Sequence, residues 1–167
     1  MKWPATVVLI GAAGVLQAVL PAPAIAGQTA PPVMASLVVH FALRRSRAEA
    51  LSLAIACGVV FDSLGRVPLG FSSAAFAAAA LLVHRYRDEV FEWRALTHVI
   101  LGAAAAGGAT LITGLLLTAA GHVAFALGWL TLKTAGAAVL AGVTAPLVCA
   151  AAQRLEHLIG LDAGGRR

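Results

Sequence analysis

The chain has 167 residues, enough for one domain, of which 60% are apolar and 11% charged; an ordinary water-soluble domain carries about 45–50% and about 25%. With a mean hydropathy of +0.91, a disordered chain, a nucleic-acid-binding module and a disulfide-stapled secreted domain are all disfavoured, because 12 basic and 7 acidic residues cannot cover so much apolar mass in water. The composition points to a bilayer, and the net charge of +5 informs through its location.

Runs able to cross roughly 30 Å of hydrocarbon at about 1.5 Å per residue predict an all-α, polytopic integral membrane helix bundle forming one domain over residues 1–167. Six segments qualify: Ala5–Leu20, Pro32–Leu43, Ala48–Leu64, Phe71–Val83, Ala95–Ala119 and Leu130–Ala152. The first has a rival reading, since Lys2, the run Val7–Leu20 and Ala24-Ile25-Ala26 imitate a cleavable signal peptide. Flanking prolines and the spans that follow favour retention, and cleavage would leave the downstream orientation unchanged. The second and fourth segments fall short of about 17 residues and read as thin spans, spans extended by their flanks, or partly re-entrant pieces.

In the fifth segment small residues recur four apart at Gly102 and Ala106, Ala103 and Gly107, and Ala104 and Gly108; the sixth repeats the pattern at Ala138 and Gly142. Tight helix crossings are expected there, because membrane helices associate by close backbone approach. Pro146 is expected to kink the sixth helix or to free a carbonyl near its cytoplasmic half, and residues 153–167 to form a short basic cytoplasmic tail. Cys57 and Cys149 lie inside apolar runs, where they read as buried, inert thiols.

Cationic residues are retained on the cytoplasmic side during insertion. With six spans and an internal N-terminus, Lys2, Arg44, Arg45, Arg47, Arg85, Arg87, Arg94, Arg154, Arg166 and Arg167 lie inside, and Arg66 and Lys133 outside. If the Pro32 segment does not cross, only Lys2 changes side, so five spans are also possible. The uncharged, Pro-rich connection Pro21–Pro31 favours six, and both arrangements leave the basic loops and the C-terminus in the cytoplasm. The connection His84–Arg94 has an interfacial-helix pattern, with Tyr86, Val90 and Trp93 on one face and Arg85 and Glu89 paired on another.

Catalysis in a membrane needs converging ionisable groups, which are costly at depth. Asp62 is the charge that stands well inside an apolar run, and no second carboxylate shares its face. His40, His84 and His98 fall near the same ends of their segments but lack metal-ligand spacing. The sequence therefore reads as non-enzymatic, with no cofactor or metal.

The third and fourth segments are joined by Gly58-Val59-Val60-Phe61-Asp62-Ser63-Leu64-Gly65-Arg66-Val67-Pro68-Leu69-Gly70-Phe71. Asp62 and Ser63 are placed to bond free backbone groups of the last turn or loop, or, for Asp62, to cap the next helix. Gly65 is expected to stop the helix in a left-handed conformation, with Pro68 restarting the chain before Gly70.

This stretch resembles the rod shape-determining protein MreD family of bacteria. The resemblance is carried by Pro32–Phe41, the basic turn Arg44–Arg47, and Gly58, Asp62, Gly65, Leu69 and Gly70, with Ala145-Pro146-Leu147 and Gln153-Arg154-Leu155 similar to that family's last helix and exit. Ala74–Ala80 departs from the family's usual fourth helix by its run of alanines. The resemblance implies a multi-pass protein of the bacterial inner membrane with both termini in the cytoplasm. It would be a non-catalytic scaffold of the cell-elongation machinery for peptidoglycan synthesis, acting with MreC, the MreB filament, and RodA with its transpeptidase. It also implies a fold similar to the substrate-binding S components of energy-coupling-factor transporters, so a small-molecule transport subunit is the alternative. Against that alternative, Ser52, Thr97, Thr110, Thr113 and Thr134 are a thin polar set for a ligand pocket.

Overall fold

Every residue from Val33 to Leu43 is buried, a pattern expected of a helix enclosed on all sides rather than lying at a surface. That helix is the axis of the structure, a computed structural model describing residues 3–22, 28–65, 68–86, 95–122 and 127–158. The described residues form six helices: α1 (Trp3–Val19), α2 (Val33–Arg44), α3 (Arg47–Leu64), α4 (Phe71–Tyr86), α5 (Ala95–Ala119) and α6 (Leu127–Leu158). The other five helices all pack against α2. Its 12 residues span only about 18 Å at the α-helical rise, and its shortness matters less because its flanks meet protein.

Each helix coincides with one predicted segment, and α6 differs most. It continues to Leu158, six residues into the stretch expected as a tail. Two helical stretches, Leu96–Ala119 and Gly128–Glu156, are long and apolar enough to cross a membrane; α1 and α2 are shorter apolar helices. Exposed apolar residues cover the outer faces, among them Val8, Val15 and Val19 on α1 and Val139, Val143 and Leu147 on α6.

The first α2 turn follows Pro31-Pro32, and Pro32 has no side chain able to cap it. Gln17 of α1 does so from outside, its Oε1 accepting from the Met34 N–H at 2.7 Å. The chain leaves α2 through Arg44 and Arg45 and turns at Ser46, whose hydroxyl accepts from the Glu49 N–H at 3.4 Å. Ser46 and Glu49 have the three-residue spacing of a capping box. Helices α5 and α6 run antiparallel through the expected small residues, with Gly102 against Ala145 and Gly107 against Ala138. A Cβ on Gly102 would come within 2.4 Å of the Ala145 methyl, which is why that crossing requires glycine. Pro146 lies inside α6, where its missing N–H leaves the Gly142 carbonyl without the usual partner.

Candidate functional site

Three features stand out, and the first is the turn between α3 and α4. Asp62 is 2% exposed, and its carboxylate reaches across the turn to the start of α4. Oδ2 accepts from the Gly70 N–H at 2.8 Å and Oδ1 from the Ser72 N–H at 3.3 Å, groups that the first turn of a helix leaves without intrahelical partners. The negative charge also lies at the positive end of the α4 dipole. Ser63 instead donates to the Val59 carbonyl of its own helix at 2.7 Å.

Gly65 does not adopt the expected left-handed conformation. Its φ of −91° and ψ of 172° are extended, and the positive φ falls at Gly70, at 105°. Among the described residues the turn lies at Pro68–Phe71, where the Phe71 N–H meets the Pro68 carbonyl at 3.5 Å, and Asp62 holds the Gly70 and Ser72 amides there against the end of α3. One turn earlier Gly58 lies against Ser73, and a Cβ there would approach the Ser73 Cα to 2.3 Å. Leu69 is exposed at the tip, while Arg66 and Val67 lie outside the described residues.

The second feature is a buried ion cluster at the opposite end, where sequence reasoning saw only a tail. Glu156, 9% exposed, accepts from Arg45 Nη2 on Oε1 at 3.0 Å and meets His40 Nε2 on Oε2 at 3.3 Å. Arg44 Nη1 stands 4.0 Å from Oε2. A carboxylate can only accept, so the His40 imidazole carries its proton on Nε2. The cluster ties the end of α6 to the end of α2. Beside it His84 Nδ1 donates to the Ala42 carbonyl at 3.3 Å, bonding one of the carbonyls that the last α2 turn leaves open.

The arginines of the first basic turn therefore divide. Arg45 is bound to Glu156, Arg44 is only partly exposed at its side chain, and Arg47 begins α3 on the surface. Arg85 is exposed near the end of α4; Arg87, Arg94, and with them most of the expected interfacial helix, lie outside the described residues. His40 and His84 have separate partners, and no cluster of three His, Cys, Asp or Glu among the described residues is placed to hold a metal ion. Cys57 and Cys149 are buried and not disulfide-bonded, and the Cys149 thiol points at the Ser36 carbonyl at 3.8 Å.

The third feature is a cavity of about 340 Å³ at the hairpin end, between the later turns of α1, α3 and α5 and the first turns of α2, α4 and α6. Its walls are mostly apolar, from Met34, Phe61, Phe76, Leu117 and Leu130, with Gln17, Thr29, Ser72, Thr113 and Lys133 among the polar residues. Thr110 also lines it; of the polar lining residues named here, only Thr110 and Thr113 were in the sequence inventory of polar groups, because the cavity forms only when six helix ends meet. Thr29, in the α1–α2 connection, donates to the Lys133 carbonyl at 3.4 Å and closes one side.

The sequence matches no protein-family model and no curated protein, and the structure matches no solved structure.

Proposed function

We propose that the chain is a multi-pass, non-catalytic scaffold of the bacterial inner membrane in the cell-elongation machinery, linking MreC- and MreB-type partners to a RodA-type polymerase and its transpeptidase. The observation that carries this reading is the state of the stretch behind the MreD resemblance. Gly58 admits α4 to α3, Asp62 is spent on two backbone amides, and Gly70 takes the left-handed turn. These positions shape a rigid hairpin rather than assemble a reactive centre. The exposed valines and leucines of α1 and α6 suit lipid or neighbouring spans, and six alternating helices put Arg44, Arg45, Arg47 and Arg85 at one end, which the cationic bias assigns to the cytoplasm.

The cavity favours a second reading, an S component of an energy-coupling-factor type transporter, because a transport subunit needs a concave site for its substrate. Affinity purification of the full chain in mild detergent separates the two. The scaffold is expected to bring down an MreC-like single-span periplasmic protein, whereas recovery of transporter ATPase subunits in its place would overturn the first reading in favour of the second.

A further inference from the structure

The cavity carries an inference that holds for a scaffold and a transport subunit alike. Its volume of about 340 Å³ lies at the lower end of the roughly 300–1,000 Å³ of small-molecule sites, which are mainly apolar with a few placed polar groups. Met34, Phe61, Phe76 and Leu130 supply apolar wall. A charged occupant is poorly served there. Among the described residues that line the cavity none is an aspartate or glutamate, so a cation has no counter-ion. The Lys133 ammonium is engaged elsewhere: its Nζ lies 4.9 Å from the centroid of the Trp129 ring, which is 37% exposed and not part of the lining, and the residue has a further partner. An ion brought in from water would lose its hydration without a compensating charge. The walls therefore suit an uncharged molecule.

The polar groups of the lining define what that molecule must carry. Ser72 lines the cavity, is 1% exposed, and its Oγ has no hydrogen-bond partner, while its backbone N–H is committed to Asp62. Buried hydroxyls are ordinarily satisfied. Gln17, also in the lining, has its Oε1 fixed on the Met34 N–H at 2.7 Å, which leaves its amide nitrogen, a donor only, for an occupant. Thr110 gives its proton to the Ala106 carbonyl at 2.8 Å, so its oxygen can only accept from an occupant. The lining thus offers donors and an acceptor, and a hydroxyl, which both accepts and donates, answers either kind.

We propose that the cavity binds an uncharged amphiphile, an apolar chain or ring bearing one hydroxyl, with the hydroxyl bonded to Ser72 and the apolar body among Met34, Phe61, Phe76 and Leu130. A strongly hydrated sugar would leave those walls unfilled, and a two-chain phospholipid exceeds the volume. The occupant is either a lipid alcohol from the bilayer or a small alcohol from the outer solution, since both present the same chemistry.

Photolabelling of the full chain in lipid nanodiscs with a diazirine-bearing decanol tests this, with unlabelled decanol, decanoate and decane as competitors compared at equal concentration in the bilayer. Saturable labelling of peptides from α1 and α5 is expected. Decanol should displace the probe, decanoate about tenfold less well because its charge is not compensated, and decane about threefold less well because it cannot bond Ser72. Ser72→Ala should narrow the gap between decanol and decane while leaving the competition by decane unchanged. Thr113→Phe, which places a ring in the cavity, should abolish the labelling, and a melting curve for each variant checks that it is folded. An alcohol extracted from protein purified directly from membranes would identify the bilayer as the source. Protein that yields no alcohol and takes up the probe from solution would identify the outer phase. Labelling that does not saturate, decanoate competing as well as decanol, an undiminished gap in the folded Ser72→Ala protein, or full labelling of the folded Thr113→Phe protein would overturn the proposal.

Discussion

Glu156→Ala is expected to lower the melting temperature of the detergent-solubilised protein by roughly 5–10 °C, at about 2–4 °C per kcal/mol for a chain of this size. The carboxylate is the shared acceptor for Arg45 and His40, and alanine leaves both donors enclosed without it. Removing one partner of a fully buried ion pair costs about 3–5 kcal/mol. Here the Arg45 side chain is 14% exposed and that of Arg44 33%, and that access to water brings the expected loss down to about 2–3 kcal/mol. The loss should depend on the partner. In the Arg45→Ala background, Glu156→Ala should cost clearly less than in the native chain, since most of the interaction is already gone. Equal losses in the two backgrounds would mean that Glu156 does not act through Arg45.

Asp62→Ala is expected to cost about 2 kcal/mol, from two backbone N–H groups each losing an acceptor worth about 1 kcal/mol. Ser72 is buried and Asp62 is 2% exposed, so water does not readily replace the lost acceptor at Ser72. The effect should be local as well as global. Amide exchange at Gly70 and Ser72 should accelerate, while exchange around Ala141 and Ala145, buried in α6 at the opposite side of the α5 crossing, should follow only the global loss. Unchanged exchange at Gly70 and Ser72 would show that the carboxylate does not hold the start of α4.

The six helices were legible in the sequence because uninterrupted apolar length is a strong signal, and the α5–α6 crossing because small residues four apart mark close approach. The role of Asp62 as a cap for the following helix was also among its readings. Which glycine turns left-handed was not legible, because it depends on where the chain turns, at Pro68–Phe71, and not on the glycine nearest the helix end.

Glu156 was missed for a different reason. Hydropathy falls after Ala152, so the following residues resemble a solvated tail. Yet Ala137, Ala141, Ala145, Cys149, Ala152 and Glu156 are all buried, and their spacing of three and four keeps one helix face turned inward. Following that stripe past the end of the apolar run would have placed Glu156 against another helix, though not against Arg45 and His40 in particular. The cavity left no comparable trace, since Gln17, Thr29, Ser72 and Lys133 come from four parts of the chain and have no common periodicity.

Reporter fusions test most directly whether the arginine-bearing turns all face the cytoplasm. Green fluorescent protein joined after Ser46 or Tyr86 should fluoresce and alkaline phosphatase there should be silent, with the reverse after Gln28, Gly65 and Gly121. Fusions after Ser46 and Tyr86 that report opposite sides of the membrane would contradict the bundle as a six-span protein with one basic, inward end.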